Sequence, residues 1–518
     1  MGAPSEPPLF VLKRDKSASR SWGIPKGEAP HKNPGCRRRK VDDMARFFPG
    51  MVLLLAMSTN GVQAEESRPN VLFLFADDMK ADTIAAQGNP IIKTPNLDKL
   101  VHCGLSFQRA HMQGGMNGAT CVPSRAMLLS SRSVFRIDEK LLRDTTWPAA
   151  FGKAGYTTFA SGKWHNGPAS IPKSFQIAQK MYLGGMVNPL AAPLSDMVDG
   201  QMAKAEVAPQ HSCAMFADEA IRFIKGQKEG SPFLCYVPFN APHDPHTVPE
   251  DFPVRYDASK LPLPANYLPQ HPFDNGDMTL RDEVLLPWPR TPGAVRQMNA
   301  EYYRYVSYLD MQIGRILDAL EKSPHAKNTI IVFAADSGVA RGSHGLIGKQ
   351  NVYEHSMRVP LVLCGPGIVG DQKTEAMCYL LDVMPTLGKL CQVDAPSTSE
   401  GREFTAVLKD PSQKARDNLM FAYRNVQRAV TDGRYKLIRY PDVNVTQLFD
   451  LQNDPEEITN LADKPEEAPR IAALIELLQR MQAENGDKLP LVVANPKPAQ
   501  WTPPRIVPGA KKKKKAAE

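Results

Sequence analysis

Between residues 70 and 336, short apolar runs alternate with longer stretches whose apolar positions recur every three or four residues. NVLFLFADD (70–78), YTTFAS (156–161), PFLCYVPF (232–239) and NTIIVFAAD (328–336) each read as a strand buried on both faces. TPNLDKLVHCG (94–104), TWPAAFGKAG (146–155), AMFADEAIRFIKGQ (214–227) and AEYYRYVSYLDMQIGRILDALEKS (300–323) read as helices, the first opened by Thr94 or Asn96 and stopped by Gly104. Buried strands alternating with helices predict an α/β fold, a large mostly parallel sheet sandwiched by helices. Such sheets carry their sites at the carboxyl ends of the strands.

The alternation stops at residues 242–292, where APHDPHTVPEDFPVRYDASKLPLPANYLPQHPFDNGD opens a proline-rich excursion. An excursion of this length inside a domain reads as a lid or a substrate wall. Beyond residue 415 the pattern changes again. NLMFAYRNVQRAVTDGRYKLIRY predicts a hairpin turning at Asp432-Gly433, QLFDL a further strand, and EEAPRIAALIELLQRMQAEN an amphipathic helix. The expected division is a catalytic domain over 65–414, a small domain of antiparallel sheet and helix over 415–490, and a Pro/Lys-rich tail over 491–518.

Charge changes this picture little. The 518 residues carry a formal +8, but residues 1–64 hold 11 Lys and Arg against 5 Asp and Glu, and the tail ends KKKKKAAE. Residues 65–510 are left at −2, which argues against nucleic acid as a partner. MARFFPGMVLLLAMSTNGVQAEE sets Arg46 before an apolar stretch too short to span a bilayer, then VQA. It reads as a signal peptide with its start at Met44 and cleavage after Ala64, so the chain is expected to be exported, periplasmic or extracellular, with no stable membrane span. Of 8 cysteines, Cys103, Cys213, Cys235, Cys364, Cys378 and Cys391 leave room for disulfides but follow no scaffold or zinc spacing.

The remaining cysteine of the mature chain stands in TCVPSRAMLLSSR. Pro123 suits the first turn of a helix, so Cys121 falls at a helix N-terminus facing unpaired amides, a place for an anion; a buried structural cysteine is the plainer alternative. Asp77 and Asp78 leave the end of one predicted strand and Asp336 the end of another. If those strands are parallel neighbours, three carboxylates meet at one rim, and a hard divalent cation with oxygen ligands would relieve their repulsion. Without that meeting, Asp77 and Asp78 are helix caps.

CVPSRAMLLSSR resembles C-x-P-S-R-x-x-x-L-T-G-R, the signature of the type I sulfatases of the alkaline-phosphatase-like superfamily, with Ser130 and Ser131 where Thr and Gly are usual. FLFADD, SGKWHNG, APHDPH and AADSGVARGSHGLIGKQNVYEHSMRVPL resemble the family's other blocks in the family's order, and RYKLIRY and LFDLQNDPEEITNLA its second domain. The resemblance implies an alkaline-phosphatase-like fold and hydrolysis of a sulfate monoester, on a small molecule or a glycan. It implies that a formylglycine-generating maturation enzyme converts Cys121 to formylglycine (3-oxoalanine), whose hydrated form offers one hydroxyl for attack and a second for sulfate expulsion. It implies Ca2+ held by Asp77, Asp78, Asp336 and an oxygen of modified Cys121. Ser337 stands where Asn, His or Gln is usual, which leaves its ligation open. Arg125 would hold the diol, Lys163 and Lys349 the sulfate oxygens; His165 would take the diol's proton, and His243, alone or with Lys349, would protonate the leaving alcohol. Two other readings share these residues: a phosphodiester or phosphonate hydrolase of the same superfamily, and a non-catalytic sulfated-glycan binding protein unmodified at Cys121. His246, Asp244 and Trp288 lie where substrate contacts would arise; Trp164 reads as wall packing.

Overall fold

The computed structural model describes residues 68–504; the segment expected to be a signal peptide, with its upstream extension, and the terminal lysines lie outside the described residues. In chain order the strands that frame the site are β1 (Asn70–Ala76), β2 (Leu105–Phe107), β3 (Gly114–Gly115), β4 (Thr157–Ala160), β5 (Ile177–Ala178), β6 (Phe233–Pro238), β7 (Thr329–Ala335), β8 (Leu361–Cys364) and β9 (Gln372–Thr374). All but β3 form one sheet in the order β9-β2-β8-β7-β1-β6-β4-β5. From β7 through β1, β6 and β4 to β5 every pairing is parallel, whereas β8 is antiparallel to both β7 and β2.

The register accounts for the apolar run of β1. Val71, Phe73 and Phe75 enter one core cluster and Leu72, Leu74 and Ala76 the other, all fully buried, so no position faces water. Each such side chain contributes about 1.5–3 kcal/mol relative to exposure. The first cluster includes residues of α2 (Cys121–Ser130) and α3 (Trp147–Lys153), among them Leu128, Leu129, Trp147 and Phe151. The second includes Leu97, Phe216 and Ile313, from α1 (Pro95–Cys103), α4 (Ser212–Gly226) and α5 (Pro292–Glu321). A disulfide between Cys103 and Cys364 joins the end of α1 to the end of β8.

The excursion at 242–292 has only two short 3-10 turns, Ala258–Lys260 and Glu283–Leu285, and no strand. Beyond it, β10 (Leu419–Tyr423), β11 (Gln427–Thr431), β12 (Tyr435–Tyr440) and β13 (Val445–Asp450) form an antiparallel meander. The β11–β12 turn falls at Asp432-Gly433, where the Asp432 carboxylate accepts from the Tyr435 amide at 2.7 Å. Helix α6 (Ala468–Asn485) covers the meander with Leu474 and Leu478 against Met420, Val430, Leu437 and Leu448. The two-residue β3 adds to β10 in parallel, so the small sheet contains a piece of chain from before residue 121. Lys436 of β12 is fully buried between Glu354 at 2.8 Å and Glu457 at 3.0 Å. No helix of the described residues is long and apolar enough to cross a membrane.

Candidate active site

Parallel pairing of β1 with β7 sets Ala76 opposite Ala335, so Asp77 and Asp336 leave neighbouring strands at the same level. The condition on which the three carboxylates meet is fulfilled. The Asp78 amide donates to Asp336 Oδ1 at 3.0 Å, and Asp78 takes the left-handed conformation at φ 63°, which turns its side chain away from the strand direction. Cys121 is the first residue of α2, as its proline spacing predicts, and is buried with 2% exposure. Its Sγ shares with carboxylate oxygens of Asp77 and Asp78 a cluster whose ligand atoms all lie within 4.8 Å of one another.

Cations close around this group. Lys349 Nζ lies 3.0 Å from Cys121 Sγ and is paired with Asp78; Lys163 Nζ lies 3.8 Å from the same sulfur and is paired with Asp77. Lys349 reaches the site because residues 337–357 double back, with Ala340 bonded to Gly348 and Gly338 to Ser356. Lys163 is fixed by its amide, which donates to the Pro238 carbonyl at the end of β6. Arg125, one turn along α2 from Cys121, donates through Nε to Asp336 Oδ2 at 2.9 Å, with Nη2 3.7 Å from Asp77. The Ser337 hydroxyl donates to Asp78 Oδ1 at 2.9 Å.

Charge follows from these contacts. Burial opposes ionisation of Asp77, but Lys163, His243 and Arg125 outweigh it and hold its carboxyl well below the usual range. Burial and then the neighbouring Asp77 push Asp336 the other way, to about 7, against the pull of Arg125. Two adjacent buried acids thus cannot both ionise freely. Asp77 Oδ1 is buried with no hydrogen-bond donor, and the three acids supply a set of oxygens alone, the donor chemistry of a hard cation such as Ca2+.

The two histidines are driven apart. Burial and then Lys163 lower His165 to about 3, so it is neutral and able to accept a proton. Burial works against the charge on His243, but Asp78, 3.5 Å from Nε2, outweighs it and raises the imidazole to about 9. One site thus holds a neutral and a charged imidazole. Both rings line an open pocket of about 280 Å³ with Cys121 and Lys349 among its walls and Met186, Leu280 and Arg281 at its rim.

All ten side chains singled out from the sequence converge here. His344, in the GSHG stretch before Lys349, lies apart from them: it stacks on Tyr353 at 4.0 Å, and its Nε2 contacts the Glu457 carbonyl at 2.8 Å. Trp164 is buried in the wall, donating to the Gly167 carbonyl, and Trp288 packs under Arg290. His246 faces Arg341 and Tyr302 in a cleft adjoining Asp78 and His243. Sequence reasoning did not single out Gly185, Arg281, Asp282 or Gln350. A Cβ at Gly185 would stand 2.5 Å from His165 Nε2, so glycine is required there by close approach, a property of the fold rather than of LGGM as a string.

The family model described as Sulfatase matches residues 69–393. The chain belongs to the sulfatase family. A second model, for the C-terminal region of N-sulphoglucosamine sulphohydrolase, matches residues 342–484. Among curated relatives, the N-acetylglucosamine-6-O-sulfatase of Bacteroides thetaiotaomicron is 26% identical, over 87% of this chain and 93% of its own length. The arylsulfatase of Clostridium perfringens is 26% identical, over 79% of this chain and 94% of its own. Among solved structures, BT4656 in complex with its substrate D-glucosamine-2-N,6-O-disulfate superposes with a TM-score of 0.65 at 22% identity, over 82% of this chain and 99% of that one. The phosphonate monoester hydrolase of Agrobacterium radiobacter gives 0.65 at 21% identity, over 81% and 96%. This sulfatase therefore has the alkaline-phosphatase-like fold of its family, and its chemistry is that of a sulfuric ester hydrolase.

Proposed function

We propose that the protein is an exported sulfatase that cleaves a sulfate monoester from a sugar. The observation that carries this reading is the meeting of Cys121 with Asp77, Asp78, Lys163 and Lys349 behind an open pocket that Cys121 and Lys349 line, with Asp336 tied in by the Asp78 amide and Arg125. One relative named an N-acetylglucosamine-6-O-sulfatase, and a solved structure bound to a disulfated glucosamine, support an amino sugar as the alcohol. Formylglycine at position 121, installed by a maturation enzyme, would supply the nucleophile toward sulfur, and Asp77, Asp78 and Asp336 would hold Ca2+, which would supply charge withdrawal from the sulfate.

The chain's own residues do the rest. Lys163 and Lys349 converge on one point and bind the ester's non-bridging oxygens there, stabilising charge that grows as the S–O bond breaks. Arg125 holds Asp336 and Asp77 in place and, beyond them, screens the nucleophile. His165, neutral and with Nδ1 unpartnered, takes the diol's remaining proton as sulfate is expelled. His243, charged, gives its proton to the departing alcohol. Ser337 uses its hydroxyl to orient Asp78, a role that requires no direct bond to the metal.

The test is sulfate release from a panel of 2-N-, 3-O- and 6-O-sulfated glucosamines by protein made in a maturation-competent host, beside matched phosphonate monoesters and phosphodiesters. Turnover of sulfate esters ahead of the phosphorus esters supports the reading. A preference for phosphorus esters would make the protein a phosphonate or phosphodiester hydrolase. Saturable binding of sulfated sugar without release would make it a binding protein.

A further inference from the structure

Nothing in the family resemblance assigns a role to Arg281, which lies near the end of the proline-rich excursion. Its guanidinium grips Asp244 through both Nη atoms, at 2.6 and 2.7 Å, and its Nε donates to Asp282 Oδ1 at 2.7 Å. Asp244 follows His243 directly and accepts from the His243 ring: Nδ1 is 2.8 Å from the Asp244 carbonyl and 3.2 Å from Oδ1. Asp282 leads the other way, accepting from Gln350 Nε2 at 2.7 Å. Gln350 in turn accepts from the Lys349 amide at 3.0 Å and donates to the Gly118 carbonyl, three residues before Cys121, at 2.9 Å. The contacts run in sequence from His243 through Asp244, Arg281, Asp282 and Gln350 to Lys349.

An exposed ion pair contributes little because two long side chains must be ordered in water to form it. This one differs in that the fork engages two acids at once: Arg281 itself is 41% exposed, but Asp244 and Asp282 keep only 17% and 13% of their side-chain exposure. It adds to two other links between these segments, the Asp78 carboxylate that both His243 and Lys349 approach and the contact of Arg341 with His246. A planar fork that holds Asp244 through two parallel bonds fixes an angle as well as a distance.

We propose that Arg281 is a positioning residue, locking the His243 loop and the Lys349 loop to one another so that the leaving-group acid and the sulfate-binding cation hold a common geometry. This deepens the hydrolase reading and rests on it for the role of His243. The inference concerns the alcohol side of the reaction: loosening the clamp should harm esters whose alcohol needs a proton, and spare those whose alcohol leaves unaided.

The experiment compares Arg281→Ala, Arg281→Lys and His243→Gln with the wild type on two esters, a glucosamine 6-O-sulfate and 4-nitrophenyl sulfate, reading kcat/KM. It also follows hydrogen–deuterium exchange of peptides spanning residues 243–247 and 349–352. For Arg281→Ala the expected result is a loss of about 10²-fold on the sugar ester and less than about tenfold on the nitrophenyl ester, the difference that general acid catalysis makes. Arg281→Lys, with charge but no fork, should recover only part, and both loops should exchange faster in either variant. Equal losses on the two esters would make Arg281 a substrate contact and overturn the clamp, as would unchanged exchange. If His243→Gln shows no selectivity between esters, the assignment of His243 fails, and the proposal with it. A matured wild type that turns over neither ester overturns the hydrolase reading, and exchange then decides the clamp alone.

Discussion

At the scale of single residues, placement of a few side chains within a fraction of an ångström decides what the site can do. Lys349 is buried, paired with Asp78 and aimed at position 121. Lys349→Met should keep the fold by circular dichroism and lower kcat for a sugar sulfate by about 10²–10³, the cost of removing one preorganised charge from a developing anion. A loss under tenfold would assign sulfate binding elsewhere. Gly185→Ala tests a subtler point, since its Cβ must displace the His165 ring or the loop that carries Gly185. An ångström of misplacement is worth about 10² in kcat/KM, and an unchanged value would mean that His165 needs no fixed position. The acids, the lysines, His165 and His243 were legible because strand ends and motif blocks mark them in one dimension. Gly185 and Arg281 were not, because one is defined by what approaches it and the other by acids on either side of a fold it had yet to close.

At the scale of elements, the strands of the parallel sheet were readable because burial on both faces removes polar alternation. Strand β3 was not, for two glycines carry no side-chain pattern. Its backbone position is nonetheless strict: Gly114 sits at φ +123°, and a Cβ there would lie 1.8 Å from the Ala422 carbonyl oxygen. Gly114→Ala should detach β3 from β10 and lower the melting temperature. An unchanged melt would show that this pairing contributes nothing. The buried Lys436 was equally invisible in RYKLIRY, where alternation suggests solvent. Lys436→Met leaves Glu354 and Glu457 facing each other without a cation, and denaturant unfolding should show about 3–5 kcal/mol less stability. A neutral result would mean that the acids take up protons at no cost.

At the scale of the whole molecule, buried titratable groups pull stability in opposite directions on mild acidification. Burial lowers His211, His271 and His344 from 6.5 to about 4, against hydrogen bonds to the carbonyls of Thr247, Phe273 and Glu457 respectively. A folded-state value below the unfolded one contributes stability that is complete above 6.5 and is lost as the pH falls toward 4, since only the unfolded chain takes up the protons. Each imidazole adds up to about 1.4 kcal/mol per pH unit in that window, while Asp336 and Glu457, raised to about 7, take up protons in the folded chain first and work the other way. Between about pH 7 and pH 5, His271→Gln should therefore lose less stability to acid than the wild type, and an identical loss would contradict the assignment. The layered α/β architecture was readable from alternation alone. The excursion at 242–292 was readable only as a wall, because its shape comes from ion pairs such as Arg281–Asp244 that no periodicity records.

The central claim is that position 121 performs the reaction as an oxidised side chain. The most direct measurement is mass spectrometry of the residue-121 peptide, made on preparations matured to different extents and each assayed for sulfate release. Specific activity that rises in proportion to the aldehyde fraction, and vanishes in all-thiol protein, is the predicted result. Full activity in protein that carries only the thiol would contradict the account.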